Sequence, residues 1–241
     1  MKLTFLGTKG YIEPQTDLHG THTSTLITYR GRSIRIDCGE EWLGRCDETR
    51  QQALFVTHCH PDHAWGLKAG CACPVYAPPE AREEMADWPI EDPRTIEHRE
   101  AVELSGIRVE CFPVQHSTRC PAVGYRISAG VVTVFYVPDL VYIQDREAAL
   151  TGCDAYIGDG ATIDRNFVRK QKDTGELIGH VPVRTQLTWC QKLGVPKMFV
   201  THCGSQIVKD HEAAVEKVDQ YARERGVEVE IATDGMERVL R

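Results

Sequence analysis

The sequence predicts an α/β protein built as two similar layered halves. Two observations carry this. Strand-like runs alternate with helix-like runs along the chain. The pentapeptide Phe55-Val56-Thr57-His58-Cys59 also recurs as Phe199-Val200-Thr201-His202-Cys203. Each copy sets a buried strand just before a histidine, as two equivalent halves would if each delivered a polar group at a strand's C-terminal end.

The elements follow in order. Leu3 to Gly7 reads as a first strand and turn. Residues 24–30 and 33–38 alternate as two strands, with Gly31-Arg32 as the hairpin turn. Ala53 to Thr57 is a short apolar strand, and Pro74 to Ala77 is another. Pro78 and Pro79 open a helix after it. Residues 107–114 and 122–128 alternate, and Val131 to Val137 is a β-branched run. Helices are predicted at 183–193 and 210–225, each followed by a strand, at 197–201 and 227–232. With 241 residues and no low-complexity linker, a single domain over 1–241 is expected.

A core of that size needs no disulfide staples. The formal charge of −7 and pI of about 5.8 set the chain apart from general nucleic-acid binders, so extended contact with a phosphate backbone is not expected. The N-terminus shows no leader pattern, and no apolar run reaches the ~18 residues of a membrane span. A cytoplasmic chain with mostly reduced cysteines is the expectation, with no membrane partner. Cys71 and Cys73 form a lone C-x-C. With no second pair at zinc-knuckle spacing, a structural zinc is not expected there.

The chemistry concentrates in Thr57-His58-Cys59-His60-Pro61-Asp62-His63. Three of the ten histidines and an aspartate fall within six residues. Imidazole and carboxylate are the donors that zinc and similar ions take. His58 and His60, two apart in an extended segment, point the same way. Pro61 ends the strand, so Asp62 and His63 project from a different turn. One loop can thus serve two ions. Cys59 and Cys203, next to these histidines, should point away into the core.

This H-x-H-x-D-H run resembles the signature of the metallo-β-lactamase superfamily, and the likeness extends along most of the chain. Thr4-Phe5-Leu6-Gly7-Thr8 resembles that family's first strand, Ile36-Asp37-Cys38-Gly39 its "IDxG" strand end, and Asp234-Gly235 its closing "DG". The resemblance implies a four-layer αββα sandwich. It also implies two divalent metal ions, with zinc preferred and manganese or iron admitted. His58, His60, His116 and Asp139 would hold the first ion. Asp62, His63, Asp139 and His202 would hold the second, with Asp139 bridging. A homodimer is admitted, being common in the superfamily.

Gly179-His180-Val181-Pro182 lies 22 residues ahead of His202. In the superfamily's phosphodiesterase branch a histidine at this place faces the scissile phosphate and protonates the leaving oxygen. That branch includes tRNA 3′-processing endonucleases and phosphoribosyl cyclic phosphodiesterases. His180 and Asp62 are therefore the expected catalytic pair. A helix-entry histidine and a further ligand remain alternatives for His180. Asp37 either orients a ligating imidazole or caps a turn. His19, His22 and Asp17 are read as loop residues shaping the pocket, and Asp159 as structural.

Two metals about 3.5–4 Å apart can share a hydroxide that attacks in line. That suits a phosphodiester, a lactam, a lactone or a thioester. His180 favours a phosphodiester, as does the basic stretch Arg165, Arg169, Lys170 and Lys172, which could close over the site. The expected substrate is a small or nucleotide-like phosphodiester; the alternative is a lactamase, lactonase or thioesterase reaction. Only 23 residues run from His116 to Asp139, where tRNA-processing enzymes usually carry a long arm. With the acidic charge, this weighs against tRNA 3′ processing. Tyr136 stands where that branch places the glutamate that pairs with its catalytic histidine, which leaves the partner of His180 unassigned.

Overall fold

Alternation of side chains across a pleated strand decides how the chain begins. In the computed structural model, which describes residues 1–241, every second residue of β1 (Lys2–Gly7) is buried. β2 (Ser24–Tyr29) and β3 (Arg32–Ile36) form the expected hairpin. Its turn lies one residue earlier than expected, at Arg30-Gly31. Both residues take positive φ, 49° and 75°, the backbone twist that suits a two-residue hairpin turn. β4 (Ala53–Phe55), β5 (Val75–Ala77) and β6 (Pro93–Thr95) then add in parallel. Two short helices intervene, α1 (Pro61–Ala64) and α2 (Pro79–Glu84), each opened by proline.

The second half starts antiparallel, with β7 (Ala101–Leu104), β8 (Ile107–Gln115), β9 (Ala122–Ala129) and β10 (Val132–Val137). β11 (Tyr142–Ile143) pairs back onto β8. After α3 (Arg146–Leu150) comes β12 (Ala155–Asp159), then a small ribbon of β13 (Arg169–Lys170) and β14 (Leu177–Ile178). The chain continues through α4 (Val183–Leu193), β15 (Lys197–Thr201), α5 (Ser205–Val208), α6 (His211–Arg223), β16 (Glu228–Ile231) and β17 (Glu237–Val239). α4 ends at Gly194, where φ is 70°. Asp210 caps α6 by accepting from the Ala213 N–H at 3.1 Å.

One sheet runs β17-β1-β2-β3-β4-β5-β6; the other runs β11-β8-β9-β10-β12-β15-β16, with β7 beside β8. Three apolar clusters separate the layers. Phe5, Phe55, Tyr125 and Phe199 belong to the cluster between the sheets. Leu67, Val75 and Ala81 pack the outer face of the first sheet under α1 and α2. Leu187, Met198 and Val218 pack the outer face of the second sheet under α4 and α6. The order helix, sheet, sheet, helix is the αββα sandwich. The repeated pentapeptide occupies matching places: β4 and β15 are each inner parallel strands of their sheet. Cys59 and Cys203 turn into the two outer apolar clusters, away from their neighbouring histidines. All ten cysteines are free. No helix is long and apolar enough to cross a membrane.

Candidate metal centre

Parallel strands bring their carboxyl ends to one place between the sheets. Asp37 follows β3, His58 follows β4, Asp139 follows β10, Asp159 ends β12 and His202 follows β15. The close approach dictates local residue choice. A Cβ on Gly39 would lie 2.3 Å from the Asp62 carbonyl oxygen, so only glycine lets these two loops meet. Asp37 and His202 hold φ at 61° and 51°, a conformation that non-glycine residues adopt at a cost.

The seven expected ligand residues converge as two groups that share a carboxylate. His58, His60, His116 and Asp139 form one. His58 Nε2 lies 3.0 Å from His60 Nδ1, and His116 Nε2 lies 3.4 Å from the same atom. Asp139 Oδ2 is 3.4 Å from His58 Nε2 and 3.3 Å from His116 Nε2. Asp62, His63 and His202 form the other. Asp62 Oδ2 is 3.2 Å from His63 Nε2 and 3.1 Å from His202 Nε2. Asp139 reaches this group too, with Oδ2 at 3.5 Å from His63 Nε2 and Oδ1 at 2.8 Å from His202 Nδ1.

The donor set fits divalent cations. His63 Nε2, Asp139 Oδ1 and His202 Nδ1 are buried and make no well-directed hydrogen bond, although Asp139 Oδ1 and His202 Nδ1 lie 2.8 Å apart; such crowded, poorly bonded donor atoms cost free energy unless a cation takes their lone pairs. Protonation follows the same logic. Burial pushes His58 and His60 below the ordinary imidazole range, and it takes His116 down to about 4, so their lone pairs stay available. His63 and His202 behave oppositely. Burial opposes their charge, but Asp62 and Asp139 around His63, and Asp139 foremost around His202, hold both well above it. Without an ion, protons on these two rings balance the buried carboxylates. Binding a cation would release them.

Backbone and side-chain acceptors fix the rings. His63 Nδ1 donates to Asp37 Oδ2 at 2.8 Å, and Asp37 is itself held by the Thr57 N–H at 2.8 Å. Asp37 thus orients an imidazole. His116 Nδ1 donates to the Gly179 carbonyl at 3.1 Å, and the Gly179 N–H donates back to the His116 carbonyl at 3.0 Å.

His180 stands beside these groups, its ring 5.1 Å from His116 and 5.6 Å from His202 between centroids. Its unassigned partner is Asp159, whose Oδ2 accepts from His180 Nδ1 at 2.8 Å. Burial works against a charged His180, but Asp159 raises its pKa. Asp139, Asp159, His180 and His202 come close enough to form a third ligand set. The oxygens of Asp159 are already engaged, however: Oδ2 accepts from the Leu140 N–H as well as from His180, and Oδ1 from the Ala161 N–H. Asp159, read from sequence as structural, is therefore a carboxylate that holds the His180 ring. Its signal was topological, since it ends the strand lying between those that deliver Asp139 and His202. Tyr136 belongs to the core between the sheets.

A cavity of about 550 Å³ opens over the groups, bordered by Tyr11, Arg165, Phe167, His180 and Gln206. Of the basic stretch, Arg165 reaches this cavity, while Arg169 borders a neighbouring one with His180. His19 and His22 do not line it. His19 is buried in a network with Thr8 and His211, at 2.8 and 2.9 Å, and His22 Nδ1 lies 3.2 Å from Glu41. Asp17 is exposed.

Residues 32–203 match the model of the beta-lactamase superfamily domain, well over half of the chain. The chain belongs to this superfamily. The ribonuclease Z of Methanopyrus kandleri is 31% identical over 173 residues, 62% of this chain and 60% of that protein. The ribonuclease Z of Thermosynechococcus vestitus is 29% identical over 54% of this chain and 37% of its own length. The chain thus spans less than two thirds of these relatives. In three dimensions it resembles the metallo-beta-lactamase fold protein YhfI from Bacillus subtilis, with a TM-score of 0.75 at 17% identity and 98% of both chains covered. At that identity the likeness shows the fold.

The superfamily members that this chain resembles in sequence correct one expectation. The acidic net charge sets an expectation against extended nucleic-acid binding, and the ribonuclease Z relatives overturn it. A whole-chain charge sum averages over the surface, whereas a phosphate chain is gripped locally, by cations at the site and by nearby arginine and lysine.

Proposed function

We propose that this protein is a two-metal phosphodiesterase acting on a nucleotide-bearing substrate, RNA ends included. The observation that carries the reading is His180, part-exposed on the cavity wall and aimed by the buried Asp159. The alkoxide that leaves a phosphodiester needs a proton, whereas the thiolate that leaves a thioester does not.

The two groups sharing Asp139 would hold two divalent ions, with zinc favoured by a donor set rich in imidazole. When bound, such ions lower the pKa of water and neutralise charge on a phosphoryl group. The side chains supply the rest. Asp62 borders the cavity and would accept a proton from attacking water. Asp159 holds a proton on His180 Nδ1, which leaves Nε2 to protonate the departing oxygen. Arg165 offers a fork for a second phosphate oxygen. Tyr11 and Phe167, exposed at the mouth, offer faces on which a base can stack.

Paired assays test this reading on zinc-loaded protein. Bis-p-nitrophenyl phosphate and a short RNA with a 3′ extension should turn over, and a β-lactam and a thioester should not. The reverse pattern would replace the phosphodiesterase with a lactamase- or thioesterase-type hydrolase.

A further inference from the structure

A second cluster of metal-binding chemistry lies outside the histidine centre. The lone C-x-C of Cys71 and Cys73 is completed in space by Cys46, 25 residues earlier. Cys46 Sγ is 2.9 Å from Cys71 Sγ, and Cys71 Sγ is 3.5 Å from Cys73 Sγ. Asp47 Oδ1 lies 3.9 Å from Cys71 Sγ, and the ligand atoms of Cys46, Asp47 and Cys71 all lie within 4.8 Å of one another. The Gln51 amide donates to Cys73 Sγ at 3.4 Å.

A second, independent observation is a buried cation beside this cluster that lacks a full set of partners. Arg35 is fully buried, and its Nη2 has no hydrogen-bond partner. Its other nitrogens meet neutral groups: the Ser24 hydroxyl at 2.9 Å, the Asp37 carbonyl at 3.3 Å and the Cys46 carbonyl at 3.2 Å. The guanidinium also stacks 4.2 Å over Trp42. A buried guanidinium without a carboxylate needs an anion nearby. The cluster is the neighbouring group that can supply one, since Arg35 Nη1 already contacts the Cys46 carbonyl at 3.2 Å.

We propose that Cys46, Cys71 and Cys73, with Asp47 as fourth donor, bind one soft divalent metal ion such as Zn2+. Sulfur with one carboxylate suits zinc and disfavours magnesium or calcium. Three thiolates and a carboxylate exceed a divalent charge, and Arg35 offsets part of the excess. A tetrahedral zinc with Zn–S near 2.3 Å spaces its sulfurs by about 3.8 Å. The Cys71–Cys73 spacing is close to that, and Cys46 can yield toward the cavity of about 260 Å³ bordered by Gly44, Asp47, Gly70 and Glu91. The ion would clip together two segments with little regular structure, the single 3-10 turn Cys46–Thr49 and the loop after Gly70. Binding would displace thiol protons to solvent.

Cobalt(II) titration of the full chain tests the site, because the histidine centre has no sulfur donor. A thiolate-to-cobalt charge-transfer band should appear and saturate by three equivalents, one for this site and two for the histidine centre. It should persist in Asp139→Ala and vanish in Cys71→Ser. Elemental analysis of zinc-loaded protein should count one ion fewer in Cys71→Ser than in the parent. Asp47→Asn, at an exposed position, guards against misfolding: with an unchanged circular dichroism spectrum it should weaken cobalt binding at the band at least tenfold. Absence of the band in the parent, or its survival in Cys71→Ser, would overturn the proposal. So would eight rather than ten titratable thiols in unreduced, unfolded protein with a Cys46–Cys71 linked peptide, which would make the cluster a disulfide pair.

Discussion

Asp37 with His63 on the first sheet, and Asp159 with His180 on the second, make the same contact, a carboxylate oxygen 2.8 Å from Nδ1. Their surroundings differ. His63 is wholly buried, whereas the His180 side chain keeps 24% exposure on the cavity. A sealed imidazole can offer its other nitrogen only to what lies inside, namely the group around Asp62 and Asp139. An imidazole at the wall can offer it to whatever enters. On the proposed function, one device, an aspartate that fixes a ring's tautomer, would serve retention of an ion in one sheet and transfer of a proton in the other.

Several variants would sharpen or break that division. The largest effect is expected from Asp139→Ala, which both groups share: metal content should fall below one histidine-bound ion per chain, and kcat by at least roughly 10²–10³-fold, the scale of losing a charge-stabilising group. His180→Ala should lower kcat on the RNA substrate, whose leaving group is an alkoxide, by about 10²–10⁴-fold while elemental analysis finds the metal content of the parent. Unaltered turnover would remove the acid role. Asp37→Asn should weaken metal affinity by about 10–100-fold in chelator competition, as loss of an orienting carboxylate does.

Asp159→Asn should act differently, sparing metal affinity and moving the pH profile. A general acid works while protonated, so kcat falls as pH rises through the pKa of His180. Asp159 raises that pKa, and removing its charge should shift the falling limb to lower pH. If Asp159→Asn lost metal and kept its pH profile, the two aspartates would have to exchange roles. The smallest effect is the remote control Asp210→Ala, expected to cost about 1 kcal/mol in denaturant unfolding with metal content unchanged.

Much of this centre was legible because its ligands sit where strong local patterns end. β4 is apolar and buried, β15 is buried from Met198 onward, and both lead through Val-Thr into a histidine, so strand and ligand were read together. The residues that were missed depend on distance instead. Asp159 acquires meaning only from His180, 21 residues on, and Cys46 only from Cys71. The edge strands β6 and β17 escaped for a related reason. Their residues are largely exposed and polar, so pairing with a neighbour, not an apolar pattern, makes them strands.

The paired hydrogen bonds between Gly179 and His116 join the metal centre to the small β13–β14 ribbon. Gly179 holds φ at 110°, and a side chain there would collide with the Phe167 carbonyl, 2.1 Å from a Cβ. The ribbon is therefore anchored at a residue that cannot be bulkier, and the anchor is fastened to the backbone and the ring of one histidine. A substrate leaning on Arg165 or Phe167 would press on that anchor. The strain would reach His116 through two hydrogen bonds, with no repacking of the core between them.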